Sequence, residues 1–350
     1  MGPKLFSLFF SAALMICSIA DIHGKLSPNL QKKKTDIDNI DKNISSNQRR
    51  LNEYDTYITI YFKEDVEYPK GFLNDYRKNI GFIINTKNNT KLSKEEALTI
   101  NKDYGFEIHF DKKVTIISYF FSRSLDINMK YLISVDFSNF DSSSIKSMVG
   151  IFYLCESLKS IDFSNFDSSS LLDVGVMFRG CTSLEYIDLS NFNTPSLINM
   201  NSMFDGCTSL KSIDFPNFNT LLAKDINFMF YRCSSLEYID LSNFDTSNII
   251  NMHSVFKGCT SLKSIDLSNF DTSSVTIMIS MFEGCSSLES IDLSNFDTSS
   301  LINMNSMFYG CSSLKSIDLS NFDTSSVTDM YGMFYNCNSL LSINLSNFNT

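Results

Sequence analysis

Eight aspartates recur at one phase of the chain: Asp136, Asp162, Asp188, Asp214, Asp240, Asp266, Asp292 and Asp318. Each stands 26 residues after the last, and Asn344 takes the ninth place. Carboxylates at a fixed interval act together only if the fold aligns them. They would then form an anionic row suited to cations or to basic side chains. The bland alternative is a solvated face, where water, a neighbouring serine column and raised carboxyl pKa values absorb the repulsion. Tyr186 and Tyr238 precede Asp188 and Asp240 by two residues, and aromatic side chains there suit a partner hot spot. The candidate ligand-binding residues are therefore Asp188, Asp214, Asp240, Asp266, Asp292, Asp318, Tyr186 and Tyr238. Calcium on the row is the weaker option, and no resident metal or cofactor is expected.

Other chemistry is thin. The three histidines, His23, His109 and His253, are far apart in sequence. No nucleophile triad, Gly-rich phosphate loop or HExxH stretch is present, so an enzyme is not expected. Cysteines keep the same beat, from Cys155, Cys181, Cys207 and Cys233 through Cys259, Cys285, Cys311 and Cys337. Stacked copies would bring their Cα atoms to about 5 Å, inside the disulfide range. The Met-Phe motif before them points instead to buried sites, where a free thiol is a small hydrophobe. Free thiols are the favoured reading. Zinc would need clustered ligands such as CxxC, which do not occur.

These residues sit in a repeat. Phe140 to Phe348 recur every 26 residues, each after an Asn. That period is too short for a four-stranded propeller blade and suits one coil of a solenoid. In SLKSIDLSNFDTSSVTIMISMFEGC (261–285), Ile265 and Leu267 alternate with Ser264 and Asp266, which predicts a short strand. Residues 271–274 carry turn and N-cap chemistry. Met278, Met281 and Phe282, at i, i+3 and i+4, predict a single helical turn that Gly284 ends. Beside the aspartates runs an alternating column, Lys159, Glu185, Lys211, Glu237, Lys263, Glu289 and Lys315. It reads as a register ladder worth a few tenths of a kcal/mol per exposed pair. The Asn and Phe columns read as structural, with Asn bonding backbone of an adjacent coil and Phe stacking in the core. One coil departs: it has Pro216 for the usual Ser, LLAKDINF at 221–228 and Arg232 for the usual Gly. A kink or a distinct surface is expected there.

The strand–turn–MF–C wording resembles a leucine-rich repeat, and SLxSIDLSNFDTSSVTxMxxMFxGC is similar to the BspA-like repeats of bacterial and protist surface proteins. The resemblance covers about residues 131–350. It implies surface display and adhesion or host-protein binding. The fold class expected is an α/β solenoid. This is a leucine-rich-repeat-like coil stack with a short parallel sheet on one face and single-turn helices on the other, preceded by a small β-rich cap domain.

The ends and the charge complete the reading. Lys4, the apolar run 5–17 and Ser18-Ile19-Ala20 have the layout of a secretory signal over 1–24. Residues 25–50 read as a flexible linker and 51–130 as the cap domain, with strands over 54–63, 81–86, 105–110 and 113–121 and a short helix at 91–98. Residues 131–350 hold nine strand motifs and stop mid-repeat, so a truncated end is expected. NxS/T sites stand at Asn43, Asn88 and Asn344. The net charge is −10. It is uneven: residues 1–130 carry 20 Lys+Arg against 16 Asp+Glu, and residues 131–350 carry 9 against 23. An acidic repeat repels phosphate backbones, so no nucleic acid is expected. The expected product is a secreted or cell-surface scaffold that binds a host, neighbouring-cell or matrix protein, with no membrane span after the signal. The alternative is a surface coat or spacer without a specific ligand.

Overall fold

The computed structural model describes residues 56–68, 80–86, 90–92, 98–100, 105–110, 113–123 and 126–349. The signal segment 1–24, the linker 25–50 and the acceptor sites at Asn43 and Asn88 lie outside them.

The chain enters through an antiparallel sheet that becomes the first repeat strands. The strands are β1 (Tyr57–Phe62), β2 (Val66–Tyr68), β3 (Ile80–Asn85), β4 (Thr90–Leu92), β5 (Leu98–Ile100), β6 (Phe106–Phe110), β7 (Leu132–Asp136) and β8 (Ser160–Asp162). Six of them form one sheet in the order β4-β3-β6-β1-β7-β8, and β2 pairs with β5. Alternating apolar residues make these strands: Ile58, Ile60, Phe62, Phe106, Ile108 and Phe110 are buried. β7 is antiparallel to β1 and parallel to β8. Three expected strands are thus β1, β3 and β6. The fourth, at 113–121, is corrected: Ile116 makes a single bridge to Ser147, and residues 118–121 turn. Tyr119 there has φ 57°, a left-handed backbone that a strand does not adopt. The expected helix at 91–98 begins inside β4, and 93–97 lie outside the described residues.

From Leu132 onward the coils stack in register. β9 (Ser212–Asp214) pairs in parallel with β10 (Tyr238–Asp240), and β11 (Ser316–Asp318) with β12 (Ser342–Asn344). Ile213 faces Ile239 and Ile317 faces Ile343, while Asp214 faces Asp240 and Asp318 faces Asn344. The copies at 186–188, 264–266 and 290–292 carry no regular strand, so the expected sheet is intermittent. A second row is not. Single parallel bridges run unbroken from Ile116 through Ser147, Asp173, Asn199, Asp225, Asn251, Ile277 and Asn303 to Asp329.

The expected single-turn helices are absent from the repeats. In their place is a row of tight turns. Ser280, Phe282 and Gly284 donate their N–H groups to Asn305, Met307 and Tyr309 of the next coil at 2.7–2.9 Å. The residues between them bond locally, as Cys285 does to Phe282 at 3.1 Å. A helix would need every N–H for its own i−4 carbonyl. Here alternate donors point along the solenoid, and left-handed residues at Ser280 (φ 54°) and Gly284 (φ 73°) interrupt the helical path. Met278, Met281 and Phe282 are nevertheless fully buried. The spacing identified the right core face in the wrong backbone.

Core columns hold the stack. Phe152, Phe178, Phe204, Phe230, Phe256, Phe282, Phe308 and Phe334 stack nearly parallel, with centroids 5.3–5.8 Å apart. Offset stacking of this kind adds to simple burial. Asn165, Asn191, Asn243 and Asn269 each donate to a backbone carbonyl of the preceding coil at 2.9–3.1 Å. A repeat unit of this size cannot bury its apolar face alone, and its neighbours cover it.

Candidate functional site

Parallel pairing with Ile on Ile leaves each strand's Ser or Tyr and its Asp pointing outward. Asp188, Asp214, Asp266, Asp292 and Asp318 are exposed and Asp240 is part-exposed. Tyr186 and Tyr238 each keep 57% of their surface in solvent. The structure therefore brings all eight candidate residues onto one strand face.

Each carboxylate also has local work. Ser190, Ser242, Ser268, Ser294 and Ser320 donate their N–H to the Oδ1 of Asp188, Asp240, Asp266, Asp292 and Asp318 at 2.8–2.9 Å. This closes a side-chain turn after the strand. The hydrogen bonds from the serine hold these carboxyls below their usual range. The serine side chain contributes most at Asp188 and Asp240, and its backbone N–H at Asp266, Asp292 and Asp318. The expectation of raised pKa values is thereby corrected. Carboxylates stacked in a row favour protonation, but hydrogen bonding to the charged form outweighs that. Asp188, Asp240, Asp266, Asp292 and Asp318 are held ionised at neutral pH.

Asp214 differs for a legible reason. Two residues on stands Pro216, which has no N–H to donate. Among the described residues Asp214 makes no side-chain hydrogen bond.

The flanking charge column closes at two steps. Lys211 Nζ lies 2.7 Å from Glu185, and Lys315 Nζ 2.6 Å from Glu289. Both pairs are exposed and worth little. Lys211 also sits 5.7 Å from the Tyr186 ring centroid. Among the described residues no cation lies over the Tyr238 ring. Beside it a depression of about 250 Å³ is lined by Tyr238, Asp240, Ser264, Asp266 and Asn269. A second, of about 320 Å³, is lined by residues that include Asp136, Asp162 and Asp188. Among the described residues no three His, Cys, Asp or Glu side chains gather as a metal site, and the calcium option finds no ligand cluster.

The eight repeat cysteines are free thiols. Each Sγ donates to the carbonyl of a phenylalanine in the coil before, as Cys285 does to Phe256 and Cys259 to Phe230, at 3.1 and 3.2 Å. Burial pushes these thiols up, well away from thiolate chemistry.

Two features escaped the sequence reading. A buried hydroxyl column, Ser168, Thr194, Thr220, Thr246, Thr272, Thr298 and Thr324, bonds backbone of the next coil. Its signal was the Ser or Thr two places after every repeat Phe. The turn row also carries its own longer rhythm, Tyr153–Arg179–Asp205 and then Tyr231–Lys257–Glu283. Arg179 pairs with Asp205 and Lys257 with Glu283, both at 2.8 Å, and Arg179 lies over Tyr153 at 5.7 Å. In the departing coil Phe228 lies against Tyr231 and against His253 of the next coil, and Arg232 lies over Tyr231.

Residues 115–238, 150–265 and 224–348 match, in overlapping stretches, the family described as "Mycoplasma protein of unknown function, DUF285". The chain belongs to the DUF285 family. The match starts at the first bridge of the turn row and ends in the last coil. No curated protein matches this DUF285 chain. Among solved structures it is similar to a leucine-rich repeat protein from Eubacterium ventriosum ATCC 27560, at 18% identity and TM-score 0.37, over 62% of this chain and 59% of that one. It is also similar to the structure titled TLR13–ssRNA13 complex, at 17% identity and TM-score 0.24, over 59% of this chain and 35% of that one. The repeat, solenoid-like architecture of this DUF285 chain rests on its own coil-to-coil register.

Proposed function

We propose that this chain is a leucine-rich-repeat-type scaffold of the BspA-like kind, displayed at the cell surface or secreted, that binds a protein of a host, a neighbouring cell or the matrix. The observation that carries the reading is the strand face. It holds a row of carboxylates in register, with the exposed ring of Tyr238 beside the ionised Asp240 and Asp266. A face of that kind favours a basic partner surface, since complementary charge speeds encounter and fixes register. An exposed aromatic beside it supplies the desolvated anchor that charge alone lacks.

The test is binding of the full chain to intact candidate cells and matrix proteins, followed by Asp240→Asn/Asp266→Asn. Charge reversal would also remove the turn bonds to Ser242 and Ser268. Asparagine keeps the acceptor and deletes only the charge. Binding to a confirmed partner should weaken at least tenfold, and Tyr238→Ser should weaken it further. Affinity unchanged in both variants would sink the strand-face reading. Absence of any saturable partner would favour the spacer role.

A further inference from the structure

Every coil places two residues with left-handed backbone in its turn row. In successive coils these are Gly150 and Leu154, Val176 and Gly180, Ser202 and Gly206, Phe228 and Arg232, Ser254 and Gly258, Ser280 and Gly284, Ser306 and Gly310, and Gly332 and Asn336. Only the coil from Pro216 to Cys233 fills both with large side chains, at φ 55° and 60°. Bulky residues in this region are strained, and such strain concentrates where a surface is functional.

The two strained residues build one patch. The Phe228 ring lies 4.6 Å from His253 and 5.7 Å from Tyr231. The Arg232 guanidinium lies over Tyr231 at 4.8 Å. Aromatic rings with an arginine are the composition of protein-binding hot spots. The charges sharpen this. Arg179 and Lys257, on either side, are each closed by a carboxylate. Arg232 is exposed and forms no ion pair among the described residues. Asp205 feels its charge but bonds Arg179. Lys224, exposed on the same coil, is likewise unpaired. In a strongly acidic repeat region, this patch offers an open guanidinium on an aromatic bed.

We infer that the turn face around Phe228, Tyr231 and Arg232 is a second docking surface, which takes an acidic segment of a partner protein. Arg232 receives a side-chain carboxylate, and Phe228 with Tyr231 packs an adjacent apolar side chain. The inference stands apart from the strand-face reading, because it uses a different face and the opposite charge.

The experiment selects a random peptide library on the full chain with counter-selection on Phe228→Ser/Arg232→Gly. Both substitutions restore residues that neighbouring coils carry at those positions, and thermal melts confirm folding. The expected result is enrichment of peptides with Asp or Glu next to an apolar residue, whose affinity falls at least tenfold on R232G and on F228S. Asp240→Asn/Asp266→Asn should leave that affinity unchanged. Failure to enrich any peptide over the double variant, or enrichment of peptides lacking carboxylates, overturns the inference. So does self-association, seen by light scattering and abolished by R232G, which would make the occupant a second copy.

Discussion

The Thr220 hydroxyl donates to the carbonyl of Asp245 and accepts from the N–H of the same residue, each at 2.8 Å. One buried side chain thus satisfies both backbone groups of a residue in the next coil. Thr194 does the same for Asn219, and Ser168 for Asn193. Thr220→Val keeps the shape and strands both partners. The expected loss is about 1–3 kcal/mol, read as a lower urea midpoint at unchanged slope. Thr220→Ser should retain most of the stability. Equal midpoints for valine and threonine would show that the clip adds nothing.

The thiol column sets an alkaline limit. Burial raises these cysteines in the native state, whereas unfolded thiols ionise near pH 8.5. A raised folded pKa gives stability that is full below the unfolded value and lost as pH climbs above it. Unfolding midpoints should therefore fall from pH 8 to pH 10. Thiol reagents at neutral pH should label the seven buried cysteines, Cys155 to Cys311, only after denaturation. Rapid native labelling of the buried cysteines, or disulfides found by mass spectrometry, would contradict the free, buried column.

How much of this was written in the sequence follows from what each residue reports. The strand, the Asp row and the Phe core were legible because a fixed period with alternating polarity admits few other structures. The backbone of the MF segment was not. Met278, Met281 and Phe282 have helical spacing, and a chain of turns buries the same three residues. What decides between them is whether Ser280 and Gly284 bond within the coil or across it, a long-range fact. The sign of the aspartate shifts failed likewise. Repulsion along the column was visible, but the Ser242 and Ser268 N–H bonds that outweigh it needed the turn geometry. Pro216 at Asp214 shows that the clue was present, since the only proline at that phase removes that bond.

The aspartate row sets an acid limit of the opposite sign. Asp188, Asp240, Asp266, Asp292 and Asp318 have folded values below those of the unfolded chain. Their contribution is present above about pH 4 and disappears as pH falls through the lower folded values. Thermal melts should show stability declining below pH 4, and Asp240→Asn/Asp266→Asn should flatten that decline. An identical acid profile for the double variant would mean these carboxylates do not sense folding.

Arg232 costs the fold stability that its neighbours do not lose. Gly206 and Gly258, at the same position one coil before and after, adopt φ 75° and 78° freely, while an L-residue there is strained by roughly 1–2 kcal/mol. Glycine forfeits about 0.5–1 kcal/mol through the entropy of the unfolded chain, so the terms partly cancel. Arg232→Gly should raise stability by roughly 0.5–1 kcal/mol. At the reciprocal change, Gly284→Arg, the added Cβ would meet nothing closer than 3.7 Å. By the same balance of strain against glycine entropy it should cost roughly 0.5–1 kcal/mol. Urea unfolding of the two variants checks both signs. A loss of stability in R232G would show that the Arg232–Tyr231 stack outweighs the strain, and that the arginine stabilises the fold at its own site.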